Sequence, residues 1–175
     1  MGLKLDWLTK DARLFLQRGY LNSGKTIEER YAIIAKTIGH ISKIDGIEDR
    51  FLRYIENGWV SFSSPILSNF GEKDNLPISC NFGKVYDNLD SILSGLHEMG
   101  MLAKYGAGTA KNFSKIRPAG APISTGGRSE GIMPWISLYS QTISSVTQGS
   151  IRRGFLTAYL SVSHLEILDF LFSLC

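Results

Sequence analysis

No stretch of this chain stays apolar for the roughly 20 residues a bilayer crossing needs. Its opening residues, MGLKLDWLTKD, carry charges where a signal peptide needs an uninterrupted apolar segment. A soluble, cytoplasmic protein is expected. Cysteine is scarce as well. The 2 cysteines among 175 residues, Cys80 and Cys175, make no disulfide framework, so Cys80 is expected to rest reduced and open to reversible chemistry. Charge of one sign is also in short supply: 19 Lys and Arg stand against 16 Asp and Glu, a net +3. That balance gives no clustered basic patch for nucleic acid, while anionic small molecules fit it. No internal repeat is present, and no metal site is expected. What remains is an ordinary globular composition, 43% hydrophobic and 20% charged, in a chain long enough to bury roughly 70% of its unfolded surface.

The first part reads as helical. In TIEERYAIIAKTIGHISKI, Thr26 and Glu29 stand at capping-box spacing, and Ile27, Tyr31, Ile34, Ile38 and Ile41 follow at helical spacing. A shorter helix precedes it, ending near Gly19, and another follows, ending near Gly58. Residues 1–60 are therefore expected to form a helical lobe. From Val60 the texture shifts to Ser, Pro and Gly between short apolar runs, which suggests strands and functional loops over residues 61–175. Ile78, Cys80 and Phe82 alternate as one face of a strand. Asp87 is expected to cap a helix carrying Leu89, Ile92, Leu93, Leu96 and Met99 on one side. A short strand TAKNFS, a helix from about Ile132 to Thr147, a strand FLTAYLSV and a last helix with Ser163 and Glu166 as a second capping box complete the order. Alternating strands and helices argue for an α/β fold with a parallel sheet or barrel.

Three constellations carry possible chemistry. Cys80 in mid-strand is most often a small buried hydrophobe; Ser64 ahead of Pro65, and Ser79 beside the thiol, instead offer polar groups suited to a site at a barrel mouth. A redox thiol needs access and a second sulfur, and the terminal Cys175 is a poor source of one. Between Lys104 and Arg117, Gly106 and Gly108 let backbone N–H groups approach a phosphate while the two cations supply charge; the same segment also reads as a mobile surface loop, and it matches neither a Walker A loop nor a dinucleotide fingerprint. In VTQGSIRRGFL the paired arginines read either as a solvated basic edge or as a phosphate clamp beside Gln148, which can read a base edge.

From about Trp7 to Leu171 the sequence resembles the N-terminal part of the large, catalytic subunit of ribonucleotide reductase, without its ATP-cone domain. SSPILSNFG, PISCNFGKVYDNLDSI, KYGAGTAKNFSKIRPAGAPI, TQGSIRRG and SHLEILDFL carry the resemblance, in that order. It implies a ten-stranded α/β barrel, of which this chain supplies the helical lobe and the first strands. It also implies that Cys80 is one of a redox pair that reduces the ribonucleotide and ends as a disulfide, with Ser64, Ser79 and Gly108 holding substrate. Asp87, Asn88, Leu89, Lys104, Arg117 and Ser124 would bind a deoxynucleotide or ATP effector. Residues 120–131 match a loop near a dimer partner, and Gln148 and Arg152 would relay effector identity to the substrate base.

The family's thiyl cysteine, its asparagine and glutamate neighbours and the second redox cysteine have no counterpart in these residues. The resemblance therefore implies a chain inactive alone, as in a split phage-type reductase. Its expected partners are a complementary C-terminal fragment, a second large subunit and a radical-generating small subunit, with no membrane or direct nucleic-acid partner. The radical source would be external, a diiron-type small subunit or else adenosylcobalamin, and thioredoxin or glutaredoxin the reductant. The alternative is a truncated, non-catalytic nucleotide-binding remnant.

Overall fold

The computed structural model describes residues 3–21, 24–73, 75–146 and 153–173. The chain divides into two compact units, Met1–Ser79 and Cys80–Cys175. Composition changes at residue 60, but compaction changes at Ser79.

The first unit holds four helices: α1 (Lys10–Gly19), α2 (Ile27–Ser42), α3 (Ile47–Glu56) and α4 (Ser64–Asn69). Thr9 caps α1 by accepting from the Ala12 amide, and the α2 capping box forms in both directions between Thr26 and Glu29. α2 buries Ile27, Tyr31 and Ile34 against Leu5, Leu16, Ile55 and Leu67. Its expected stripe ends early, since Ile41 is 63% exposed. α4 corrects the expectation of strands and loops after Val60. Pro65 in its first turn needs no backbone donor there and presets φ for a helix.

The second unit alternates strand and helix: β1 (Cys80–Lys84), α5 (Leu89–Lys104), β2 (Gly108–Asn112), α6 (Met133–Val146), β3 (Phe155–Tyr159) and α7 (Ile167–Phe172). The sheet order is β1-β2-β3 and both pairings are parallel. Parallel neighbours need a crossover, which α5 and α6 supply. One sheet face, with Thr109 and Lys111 buried and Leu156 and Ala158 half-buried, lies toward the core formed by Val85, Ile92, Met99, Phe113, Ile132, Tyr139 and Ile143. Phe82, Phe155 and Tyr159 occupy the opposite face and are exposed.

Several local expectations change. Cys80 opens β1 rather than sitting inside it, and Ile78 lies outside the strand. Asn88, not Asp87, caps α5, its side chain accepting from the Ser91 amide at 2.8 Å. Leu89 and Leu93 face outward, because the inward stripe runs through Ile92, Leu96, Met99 and Ala103, and a residue one step along a helix is turned away by about 100°. The second capping box is not made. Glu166 turns its carboxylate to the Ile132 amide instead, 3.1 Å away at the start of α6.

Candidate functional site

Cys80 is exposed, which sets aside its reading as a buried core residue. Its place follows from sheet register. It heads β1 opposite Gly108, which heads β2, and Gly108 stands opposite Phe155, the head of β3. Neighbouring strands lie about 4.8 Å apart, so the thiol residue and Gly108 are immediate neighbours. With no side chain on Gly108, the sheet leaves room beside Cys80. On the same face Phe82, two residues along β1, meets Tyr159, the last residue of β3, edge to face, ring centroids 5.8 Å apart. The strand heads therefore present a thiol beside a glycine gap, and the aromatic pair lies farther along the same face.

In the first unit, Ser64 is the first residue of α4, half-buried beside the buried Pro65. Ser79 is half-buried and ends that unit.

A second constellation lies past the other end of β1. There Asp87 pairs with Arg117, whose Nε donates to Asp87 Oδ2 at 2.7 Å. Arg117 also donates from Nη1 to the Pro122 carbonyl at 2.6 Å, tying Asp87 to a hairpin. The hairpin is built by Ser129 N–H to Ala121 O at 2.8 Å, Ile123 N–H to Gly127 O at 3.2 Å and a bridge between Pro122 and Arg128. Ser124 stands exposed at its tip. Asn88 and Leu89, both exposed, begin α5 at the same end. Asp87, Asn88, Leu89 and Arg117 thus gather in one place, with Ser124 on the hairpin that Arg117 holds.

Lys104 does not join them within the chain. It ends the 16-residue α5 that Leu89 begins, and at 1.5 Å per residue the two lie about 22 Å apart. Its ammonium instead rests over the Tyr105 ring, 5.4 Å from the centroid. Gln148 and Arg152 lie outside the described residues. Cys175 does too. Among the described residues no group of three or more His, Cys, Asp or Glu side chains could hold a metal ion, and no helix is long and apolar enough to cross a membrane.

Two buried polar groups escaped the sequence reading. Arg30, with no exposed surface, occupies the inward stripe of α2 beside Ile27, Tyr31 and Ile34; a lone charge at an inward helical position was the signal available. Lys111 lies buried at 3% exposure in β2, paired with Glu98 beneath Gly83. Desolvation pulls the Arg30 pKa below its ordinary value, and the Glu72 carboxylate opposes that shift.

Three parallel strands joined through helices on one face define an α/β protein. The family model of the ribonucleotide reductase barrel domain matches residues 78–173, and the chain belongs to that family. A ribonucleoside-diphosphate reductase subunit alpha from Chlamydia trachomatis is 37% identical over 110 residues, 62% of this chain and 10% of that protein. A vitamin B12-dependent ribonucleoside-diphosphate reductase from Mycobacterium tuberculosis is 37% identical over 123 residues, 70% of this chain and 18% of that protein. Among solved structures, the class Id ribonucleotide reductase alpha subunit of Actinobacillus ureae superposes with a TM-score of 0.86 at 37% identity, covering 98% of this chain and 31% of that one. The chain thus spans under a third of each of these relatives, and its sheet corresponds to part of the reductase barrel.

Proposed function

We propose that this chain supplies one redox thiol, substrate contacts and an effector site to a ribonucleoside-diphosphate reductase. The observation that carries this reading is the exposed Cys80 at the head of a parallel sheet, in register with Gly108, inside the segment that matches the reductase barrel. Cys80 and a second cysteine from a complementary polypeptide give up two electrons and two protons and close a disulfide. The ribose C2′–OH bond breaks, a C–H bond replaces it, and the hydroxyl leaves as water. Thioredoxin or glutaredoxin then reopens the disulfide. Ser64, Ser79 and Gly108 hold the ribonucleotide. The radical that opens the reaction comes from outside the chain, from a diiron-type small subunit or adenosylcobalamin.

Asp87, Asn88, Leu89, Arg117 and Ser124 form the effector site for a deoxynucleoside triphosphate or ATP. Arg117 supplies charge-assisted donors for phosphate, Asp87 an acceptor for a hydroxyl, and the α5 N-terminus a favourable end for an anion. Gln148 and Arg152 carry effector identity to the substrate base, and a second large subunit packs near residues 120–131.

The test is co-expression with the complementary C-terminal polypeptide and assay of deoxynucleotide formation. The pair should turn over, and Cys80→Ser should abolish turnover with the dithiol reductant. Full activity of that variant would remove Cys80 from the chemistry. Calorimetry with dTTP, dATP and dGTP should show binding that Arg117→Ala weakens about tenfold or more, the loss expected for one charge-assisted contact. Effector binding without turnover in any pairing would instead identify a non-catalytic nucleotide-binding remnant.

A further inference from the structure

Arg30 is the largest fully buried side chain in the molecule's described part, and its guanidinium is spent on one short helix. Nε donates to the Leu67 carbonyl at 2.5 Å, and Nη2 donates to the Ile66 and Phe70 carbonyls at 2.9 and 2.5 Å. Nη1 meets Glu72 Oε1 at 3.2 Å, and Glu72 also pairs with Lys25. The three carbonyls belong to the last turn of α4 and its C-cap, where a helix leaves acceptors without partners, although Ile66 O also accepts from the Phe70 amide at 3.2 Å. A helix of 6 residues is far too short to hold itself. A leucine or methionine from α2 would cover α4 without any desolvation penalty. The planar fork adds direction, because it fixes both the rotation and the axial position of the helix it grips.

Both ends of α4 lead to residues assigned to substrate. Ser64 is its first residue. At the other end Asn69 donates from Nδ2 to the Leu76 carbonyl at 2.7 Å, holding the segment that runs on to Ser79. We propose that Arg30 is a positioning residue for substrate: by gripping the α4 carbonyls it sets where Ser64 and Ser79 stand. The inference rests on the reading of those two serines given above. The residues proposed for the effector belong to the second unit.

The experiment uses the assembled reductase. Arg30→Met should raise the ribonucleotide KM on the order of ten- to a hundredfold, the loss expected when the hydrogen bonds of both serines to substrate are weakened. The kcat should stay within about twofold and effector affinity should not change. Arg30→Lys, which keeps charge but loses the fork, should fall between. A merely structural role would lower the active fraction, and so the apparent kcat, while leaving KM where it was; that result overturns the proposal. Should Arg30→Met fail to assemble, Arg30→Lys decides, read by KM together with amide exchange across α4. Faster exchange with raised KM supports the proposal, and faster exchange with unchanged KM refutes it. Ser64→Ala separates the two levels. A KM rise there with none at Arg30 defeats this inference alone, whereas an unchanged KM defeats the assignment of Ser64 and this inference with it.

Discussion

Gly131→Ala isolates how the hairpin is joined to α6. Gly131 has φ +84°, and a Cβ added there would sit 2.1 Å from Glu166 Oε1 and 2.7 Å from its Cδ and Oε2. Glu166 has little freedom to retreat, being buried at 7% exposure with Oε2 accepting from the Ile132 amide. Two costs follow. The left-handed backbone disfavours any Cβ by about 1–2 kcal/mol, and displacing the carboxylate forfeits a charge-assisted hydrogen bond worth about 1.5–3 kcal/mol. The sum is about 2.5–5 kcal/mol. Gly126 provides the control, with φ +81° and nothing within 4 Å of its added Cβ. Gly126→Ala should therefore cost about 1–2 kcal/mol at most. Native-state hydrogen exchange at the α6 amides of Tyr139 and Ile143 reads the opening free energy of this unit. Equal shifts for the two alanines would refute the argument, because Glu166 would then be yielding freely and could not be what anchors the start of α6.

Three further outcomes follow from buried groups in the same unit. A Cβ at Gly83 would stand 2.7 Å from Lys111 Nζ, and that ammonium is held by Glu98; Gly83→Ala should cost about 1–3 kcal/mol as overpacking, and Lys111→Met should relieve more than about 0.5 kcal/mol of it in a double-mutant cycle. Burial, with the Glu98 charge adding to it, raises the Tyr139 pKa from 10.0 to about 12. The neutral phenol is thus favoured in the fold: its contribution is whole below pH 10 and is lost between about 10 and 12, by roughly 2–3 kcal/mol in all. Alkaline titration of stability should show that fall, and Tyr139→Phe should flatten it. The same substitution removes the hydrogen bond from Tyr139 Oη to the Ile92 carbonyl, 2.6 Å long, so at neutral pH it should cost about 1 kcal/mol by urea unfolding.

What the sequence made legible was what its short-range chemistry decides. The Thr26–Glu29 box lies within four residues and formed as read, and the order of strands and helices followed from apolar period and turn residues. Most of the misreadings share one physical cause, a partner distant in sequence. Asp87 and Asn88 are comparable caps in isolation, but Arg117, 30 residues on, claims Asp87 and leaves the cap to Asn88. Ser163 and Glu166 have capping-box spacing, but the Ile132 amide, 34 residues back, takes the carboxylate. The start of β1 is set by its pairing with Gly108, not by the apolar run PISC. Pro65 did announce α4 locally, and the serines around it masked it as loop. At the candidate sites, exposure of Cys80 and the grouping of Asp87 with Arg117 needed the fold, because both depend on which sheet face the helices leave open and which loop returns to the end of β1.

The same topology separates the thiol from the residues proposed for the effector. Cys80 and Gly108 head their strands, while Asp87 and Asn88 lie beyond Lys84, the far end of the extended β1, which at about 3.3 Å per residue stands roughly 13 Å from Cys80. A ligand at Arg117 is therefore too far from the thiol to act on it by contact. Between those ends run α5 and α6, packed together through Ile92, Met99, Tyr139 and Ile143, and each begins on the side where Asp87 and the hairpin stand. Arg117 ties Asp87 to Pro122, and Glu166 fixes Ile132 at the head of α6. A charge that draws Arg117 away from Asp87 would untie Asp87 from Pro122, while Glu166 still holds the head of α6. In the proposed effector reading, coupling needs an element whose populations a ligand can bias, and the Arg117 tie between Asp87 and Pro122 is the one proposed.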